Sequence, residues 1–248
     1  MSVVASTEQG VTRLRLNRPE KRNAFTREMV DQLHHEISRT MADPESRCLI
    51  IEAEGEHFCA GRDLQDFAGD RPYAELVAAD QRWAEIFRLL DQGDTPSVAI
   101  VRGCAFAGGF TLAMGCDFVL ADSSAQFQVS EMRHNFPAAI NTPVLSKLVG
   151  PRRALEMAIL GDTLSAKQLF DMGLLNRLCD DAQSLAAQAE AFINTIVARD
   201  SIAVAQTKQL HRATRQNGLS EALNMGALVN TQVALNGKFA QANAALKK

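Results

Sequence analysis

The sequence predicts an α/β fold that ends in helices. Three short apolar runs read as buried strands: Cys48-Leu49-Ile50-Ile51, Ser97-Val98-Ala99-Ile100-Val101 and Asp117-Phe118-Val119-Leu120-Ala121. Helical spacing alternates with them, through Met29, Leu33 and Ile37 and again through Leu76, Trp83, Phe87 and Leu90. After about residue 143 the pattern is almost wholly helical. Apolar strands alternating with helices argue for a parallel sheet covered on its faces. The expected division is a core over residues 1–190 and a helical subdomain over 191–248, with Asp200-Ser201 as the hinge.

The elements follow in order. Val3 and Val4 lead into a Gln9-Gly10 turn, after which Thr12, Leu14 and Leu16 alternate with Arg13 and Arg15. Period-two alternation means a strand with one wet face. Thr26 is placed to cap the first helix. Residues 74–91 form the next helix, and residues 103–109 a glycine-rich turn into a short apolar helix that ends near Met114. Ser165 with Gln168 makes a capping box, and Gly173 fits a helix C-terminus. Residues 182–199, 201–217 and 219–235 read as successive helices.

Composition narrows the function. A net charge of -3 and scattered Lys and Arg give no stripe for neutralising phosphates, which argues against nucleic acid. Cys48, Cys59, Cys104, Cys116 and Cys179 contain no Cys-x-x-Cys and read as reduced core residues. No apolar run reaches about 18 residues, so no membrane span is expected, and the chain reads as soluble and cytoplasmic. His34-His35 has no matching carboxylate or cysteine spacing, so no metal site is expected. P-loop, G-x-G-x-x-G and G-x-S-x-G patterns are absent.

Two turns carry the chemistry. Ala60-Gly61-Arg62-Asp63 and Ala107-Gly108-Gly109-Phe110 each read as the exit from a strand into a helix. The first N–H groups of a helix lack intrahelical partners, and its dipole favours negative charge there. Glycine lets a ligand approach the backbone closely. Two such ends aimed at one point would form an oxyanion hole. Either turn alone reads more readily as ordinary loop chemistry, and the pair carries more than either.

Leu16-Asn17-Arg18-Pro19, Asn23-Ala24-Phe25, the run from Phe58 to Leu64, Ala107-Gly108-Gly109 and Cys116-Asp117 together resemble the crotonase (enoyl-CoA hydratase/isomerase) superfamily. The stretch from Leu160-Gly161-Asp162 to Gly173-Leu174-Leu175 is similar to it as well. The resemblance implies a spiral of ββα units, a C-terminal helical subdomain, and an acyl-CoA thioester as substrate. It maps the oxyanion donors onto the backbone N–H groups of Arg62 and Gly108. Lys21, Arg22, Ala24, Ala60, Asp63 and Leu64 would line the CoA channel, where a Lys-Arg pair suits phosphates; Lys21 and Arg22 read equally as a solvated surface pair.

The family's two acid/base carboxylates map onto Thr111 and Glu131, so one of the two is missing. Glu131 lies between Val129 and Met132 and suits proton transfer if desolvated; read without the resemblance, it is a surface Glu paired with Arg133. The interval from Glu131 to Pro137 is one residue shorter than the family's, and His134 reads as a structural or mouth residue. A single carboxylate favours isomerase-like enolate chemistry. Hydration with another group in place of the second carboxylate, and a non-catalytic acyl-CoA-binding subunit, stay open. No cofactor is implied beyond the CoA carried by the substrate, and the resemblance implies a homo-trimer or hexamer.

Overall fold

A computed structural model of the chain describes residues 2–68 and 70–246; Met1, Gly69, Lys247 and Lys248 lie outside the described residues. These form two compact units, divided between Arg199 and Asp200. The first opens on the hairpin Val3–Glu8 (β1) and Val11–Leu16 (β2). Arg27–Ala42 (α1), Cys48–Ala53 (β3), Leu64–Phe67 (α2), Tyr73–Gln92 (α3) and Ser97–Val101 (β4) follow. Next come Cys104–Phe106 (β5), Gly108–Gly115 (α4), Phe118–Asp122 (β6) and Gln126–Gln128 (β7). After a 3-10 turn at Glu131–His134 come Asn141–Leu148 (α5), Pro151–Leu160 (α6), Leu164–Ser165 (β8), Ala166–Asp171 (α7), Arg177–Cys179 (β9) and Ala182–Val197 (α8).

A six-stranded sheet runs β1-β2-β3-β4-β6-β9, parallel throughout except for the β1–β2 hairpin. A smaller sheet runs β5-β7-β8. Successive strands therefore alternate between sheets: β4 joins the large one and β5 the small one before α4, and β6 and β7 repeat the step. That alternation is a spiral of ββα turns. In the preceding turn the second strand is reduced to a single parallel bridge, Cys59 with Ala105.

The unalternating strands owe their pattern to two cores. Leu49 and Ile51 of β3 face the core that holds Leu33, Trp83 and Phe110, whereas Cys48 and Ile50 face the core under α8, with Leu185 and Ile193. β6 divides the same way, Val119 and Ala121 against Leu120. Buried on both faces, such strands need no polar residues. β2 keeps its alternation because Arg13 and Arg15 face outward to Glu52.

Capping follows the sequence. Thr26 accepts the Met29 N–H at 3.2 Å, and the Ser165–Gln168 capping box is formed. Three expectations are corrected. The 103–109 segment includes the strand β5, since pairing with β7 stretches it. The region after residue 143 holds β8 and β9, two and three residues long and recognisable only through their partners. Leu76, placed on the buried face of α3 by its spacing, is 40% exposed.

The second unit holds Ser201–Gln216 (α9), Leu219–Leu235 (α10) and Lys238–Leu246 (α11). Asp200 caps α9 through the Ala203 N–H and pairs with Lys238 at 2.6 Å, which ties the start of α11 to the start of α9.

Asn23 fastens the loop ahead of α1. It is fully buried at φ 54°; its Oδ1 accepts the Arg18 N–H at 2.8 Å, and its Nδ2 donates to the carbonyls of Glu54 and His57 at 2.9 and 2.7 Å. Asn23→Ala strands three backbone groups and puts alanine in left-handed backbone. We expect it to lower stability by about 3 kcal/mol in urea unfolding. A midpoint equal to wild type would remove Asn23 from the supports of this loop.

Candidate active site

The two glycine turns meet. The Cys59 N–H donates to Cys104 O and the Phe106 N–H to Cys59 O, both at 2.9 Å. This pairing brings the chain after Cys59 alongside the chain after Phe106. A Cβ built on Gly61 would stand 3.0 Å from the Ala107 Cβ and 3.6 Å from the Gly108 nitrogen. Gly61 has φ +98°, which a side chain would strain.

Arg62 and Gly108 present their N–H groups for different reasons. Gly108 is the first residue of α4, so its N–H is one of the helix's orphan donors. The Ala60–Asp63 turn precedes α2 as expected, but Arg62 lies two residues ahead of that helix, so its N–H is not one of the helix's orphan donors. It is the central residue of a parallel bridge in which the Phe25 N–H donates to Gly61 O and the Asp63 N–H to Phe25 O, so its own N–H points the other way. Neither N–H has a hydrogen-bond partner among the described residues. Ala107, between the two turns, holds φ 47° and ψ −118°. Its N–H donates to Gln128 O at 2.8 Å, and its carbonyl accepts the Thr111 N–H at 3.0 Å.

Thr111, one turn into α4, is buried. Glu131, at the start of the 3-10 turn after β7, makes no pair with Arg133, which reaches Asp162 at 3.9 Å. Both join a residue the sequence reading missed, Asn141, which is 1% exposed. Asn141 Nδ2 donates to Glu131 Oε1 at 2.6 Å, and Asn141 Oδ1 accepts the Thr111 hydroxyl at 2.7 Å. Glu131 Oε2 is buried and has no hydrogen-bond partner. The only sequence signal for Asn141 was a polar residue directly after the apolar run Ala138-Ala139-Ile140.

The other predicted residues form one patch. The Ala60 N–H donates to Arg22 O at 2.9 Å and the Ala24 N–H to Lys21 O at 3.0 Å. Lys21 and Arg22 are exposed, and neither forms a salt bridge among the described residues. Leu64 is 55% exposed. Asp63 is engaged structurally: Arg18 Nη1 pairs with its Oδ2 at 2.6 Å and also donates to Ala24 O at 3.0 Å, while Oδ1 caps α2 through the Gln65 N–H. The Arg62 side chain turns to Asp80 at 2.6 Å across the face of Phe67. Cys59, beneath the turns, is pushed up to about 12 by burial, so it stays a thiol at neutral pH and is no thiolate nucleophile. Among the described residues no group of His, Cys, Asp and Glu could hold a metal ion, and no helix is long and apolar enough to cross a membrane.

Residues 6–240 match the family model for enoyl-CoA hydratase/isomerase. The 1,2-epoxyphenylacetyl-CoA isomerase of Escherichia coli (strain K12) is 31% identical over 90% of this chain and 86% of that protein. The mitochondrial Delta(3,5)-Delta(2,4)-dienoyl-CoA isomerase of Homo sapiens is 31% identical over 92% of this chain and 73% of that protein. The crystal structure of an enoyl-CoA hydratase from Mycobacterium smegmatis superposes with a TM-score of 0.90 at 28% identity, covering 98% of this chain and 97% of that one. The chain belongs to the enoyl-CoA hydratase/isomerase family, within the crotonase superfamily, and is an enzyme of that family. Hydratase and isomerase names both occur among its relatives.

The Arg18 guanidinium holds the Asp63 carboxyl below the ordinary carboxylate range, helped by the Gln65 N–H. A depressed folded-state pKa stabilises above the unfolded pKa and loses that stabilisation as pH falls through the folded one. We expect Asp63→Asn to cost about 1 kcal/mol at neutral pH, the group being partly solvated. The difference from wild type should close in acid, below the usual carboxylate range. A gap constant from neutral to acid pH in thermal unfolding would contradict the pairing.

Proposed function

We propose that the chain binds the thioester of an acyl-CoA with its oxygen between the N–H groups of Arg62 and Gly108, and that Glu131 moves the proton. The observation that carries this reading is the asymmetry across the site. Two partnerless N–H groups stand on adjoining turns, while one carboxylate, Glu131, keeps a buried oxygen without a hydrogen-bond partner. Polarising the thioester makes its α-carbon acidic, and each preorganised donor of this kind is worth about 10²–10³ in rate.

A 1,3-proton shift then needs one base. Glu131 takes the α-proton of a 3-enoyl thioester, and the electron pair of the C–H bond passes into the enolate, with charge on the oxygen held by the two N–H groups. The protonated Glu131 returns the proton at the γ-carbon, the double bond settles between α and β, and Glu131 is again a carboxylate. Hydration would need a second group to hold and activate water. Thr111 occupies that place and cannot serve as a base at neutral pH. Hydration is the second reading, supported by the hydratase names in the family. A non-catalytic binding subunit would have no use for Glu131. Lys21, Arg22, Ala24, Ala60, Asp63 and Leu64 border the proposed CoA path; Lys21 and Arg22 suit its phosphates, and Asp63 shapes the wall through Arg18. CoA enters as part of the substrate, and no other cofactor is called for.

Glu131→Gln should lower turnover of 3-enoyl-CoA esters by at least about 10²–10⁴. Wild-type hydration of crotonyl-CoA should run slowly beside that isomerisation. Mass- and absorbance-based assays of both reactions decide it: rapid hydration surviving in Glu131→Gln would overturn the base and the one-carboxylate argument together.

The second unit exposes Leu219, Leu223, Leu228, Leu235 and Phe239, more apolar surface than a solvated helix pair keeps. We propose that it is covered in a homo-trimer or hexamer. Light scattering at micromolar protein should give one of those masses, and a clean monomer would sink the proposal.

A further inference from the structure

We propose that Asn141 is a positioning residue whose one amide sets the oxygen of Glu131 that carries the proton and, jointly with Thr111, holds the direction of the Gly108 N–H; this rests on the reading of Glu131 and Gly108 given above. The amide reaches three groups. Oδ1 accepts from the Thr111 hydroxyl at 2.7 Å. Nδ2 donates one hydrogen to Glu131 Oε1 at 2.6 Å and the other to Ala107 O at 3.1 Å.

Only one orientation of the amide satisfies all three. An ionised carboxylate and a carbonyl can only accept, so the NH₂ end must face Glu131 and Ala107. A hydroxyl can donate, so Thr111 is the group that can serve Oδ1. Flipped, the amide of Asn141, a residue only 1% exposed, would set an oxygen against two acceptors.

Three consequences follow from the fixed amide. Oε1 of Glu131 is occupied, which leaves Oε2, buried and without a hydrogen-bond partner, as the oxygen that takes the α-proton and returns it. The Thr111 hydroxyl has two acceptors in reach, Asn141 Oδ1 at 2.7 Å and Ala107 O at 3.1 Å, so its one proton is held within the site and toward a ligand Thr111 can only accept. The third consequence runs through the backbone. The Ala107 carbonyl and the Gly108 N–H belong to one planar trans peptide and point in opposite directions. Asn141 shares Ala107 O with the N–H and hydroxyl of Thr111, at 3.0 and 3.1 Å, and together they aim the Gly108 N–H away from Asn141. The base and one oxyanion donor are kept in mutual register by a side chain that need not touch substrate.

Asn141→Asp isolates this role. It keeps the shape of the side chain and the acceptor for Thr111, and it removes the NH₂ that faces Glu131 and Ala107. Assayed at about pH 8, where two adjacent carboxylates are least able to share a proton, it should lower kcat for a 3-enoyl-CoA ester about 10²-fold. KM should stay within about threefold of wild type, because most of the binding contact is with CoA. A second measurement needs no turnover. In Glu131→Gln with Asn141→Asp the donor and acceptor are exchanged, and the hydrogen bond re-forms in the reverse sense. The double variant should melt above Asn141→Asp alone, with a favourable coupling in the thermodynamic cycle, while remaining inactive.

Wild-type kcat in Asn141→Asp, or strictly additive melting temperatures in the cycle, would overturn the proposal. Glu131→Gln active by itself would instead overturn the assignment of the base, and the cycle would still report on the Asn141–Glu131 contact.

Discussion

Two backbone hydrogen bonds about Cys59, its N–H to Cys104 O and the Phe106 N–H to its own carbonyl, hold two stretches of chain more than forty residues apart within van der Waals contact. The rest of the site depends on that spacing. A Cβ on Gly109 would lie 2.3 Å from Cys59 O, and one on Gly108 would lie 2.5 Å from the ring of Phe25. Phe25 is itself stacked on Trp83, with ring centroids 4.6 Å apart. The Gly-Gly pair is thus demanded by crowding before any ligand is considered: α4 must start against the Cys59 backbone and the Phe25 ring, and a side chain at either place would push it away. The same crowding fixes where the N–H groups of Arg62 and Gly108 sit.

What could be read in the sequence, and what could not, divides by range. The β2 alternation, the Thr26 cap, the Ser165–Gln168 box and the unalternating strands were legible because neighbours in sequence decide them. The glycine turns were legible for the same reason, although the presentation of the Arg62 N–H was not. That N–H is freed by a bridge to Phe25, thirty-seven positions earlier, which no local pattern announces. The strands β8 and β9 exist only by pairing with β7 and β6. Asn141 is the plainest case. Its partners lie 10, 30 and 34 positions away, and each bond is defined by the other two.

The polar centre of the first unit is held by neutral groups. Thr111 and Asn141 put a hydroxyl and an amide beside Glu131. Charge is kept at the margin: Arg18 with Asp63, Arg62 with Asp80, and the exposed Lys21 and Arg22. A buried carboxylate beside an amide donor is spared the repulsion that a second buried carboxylate would bring.

The Thr111–Asn141 hydrogen bond has a bearing on how such a site could change its chemistry over time. Placing a glutamate at 111 would set its carboxylate against Asn141 Oδ1, two acceptors face to face in a space that excludes solvent. Turning the amide to meet it would set that oxygen against Glu131 instead. Neither orientation of the amide accommodates a second carboxylate, so a glutamate at 111 calls for a change at 141 as well.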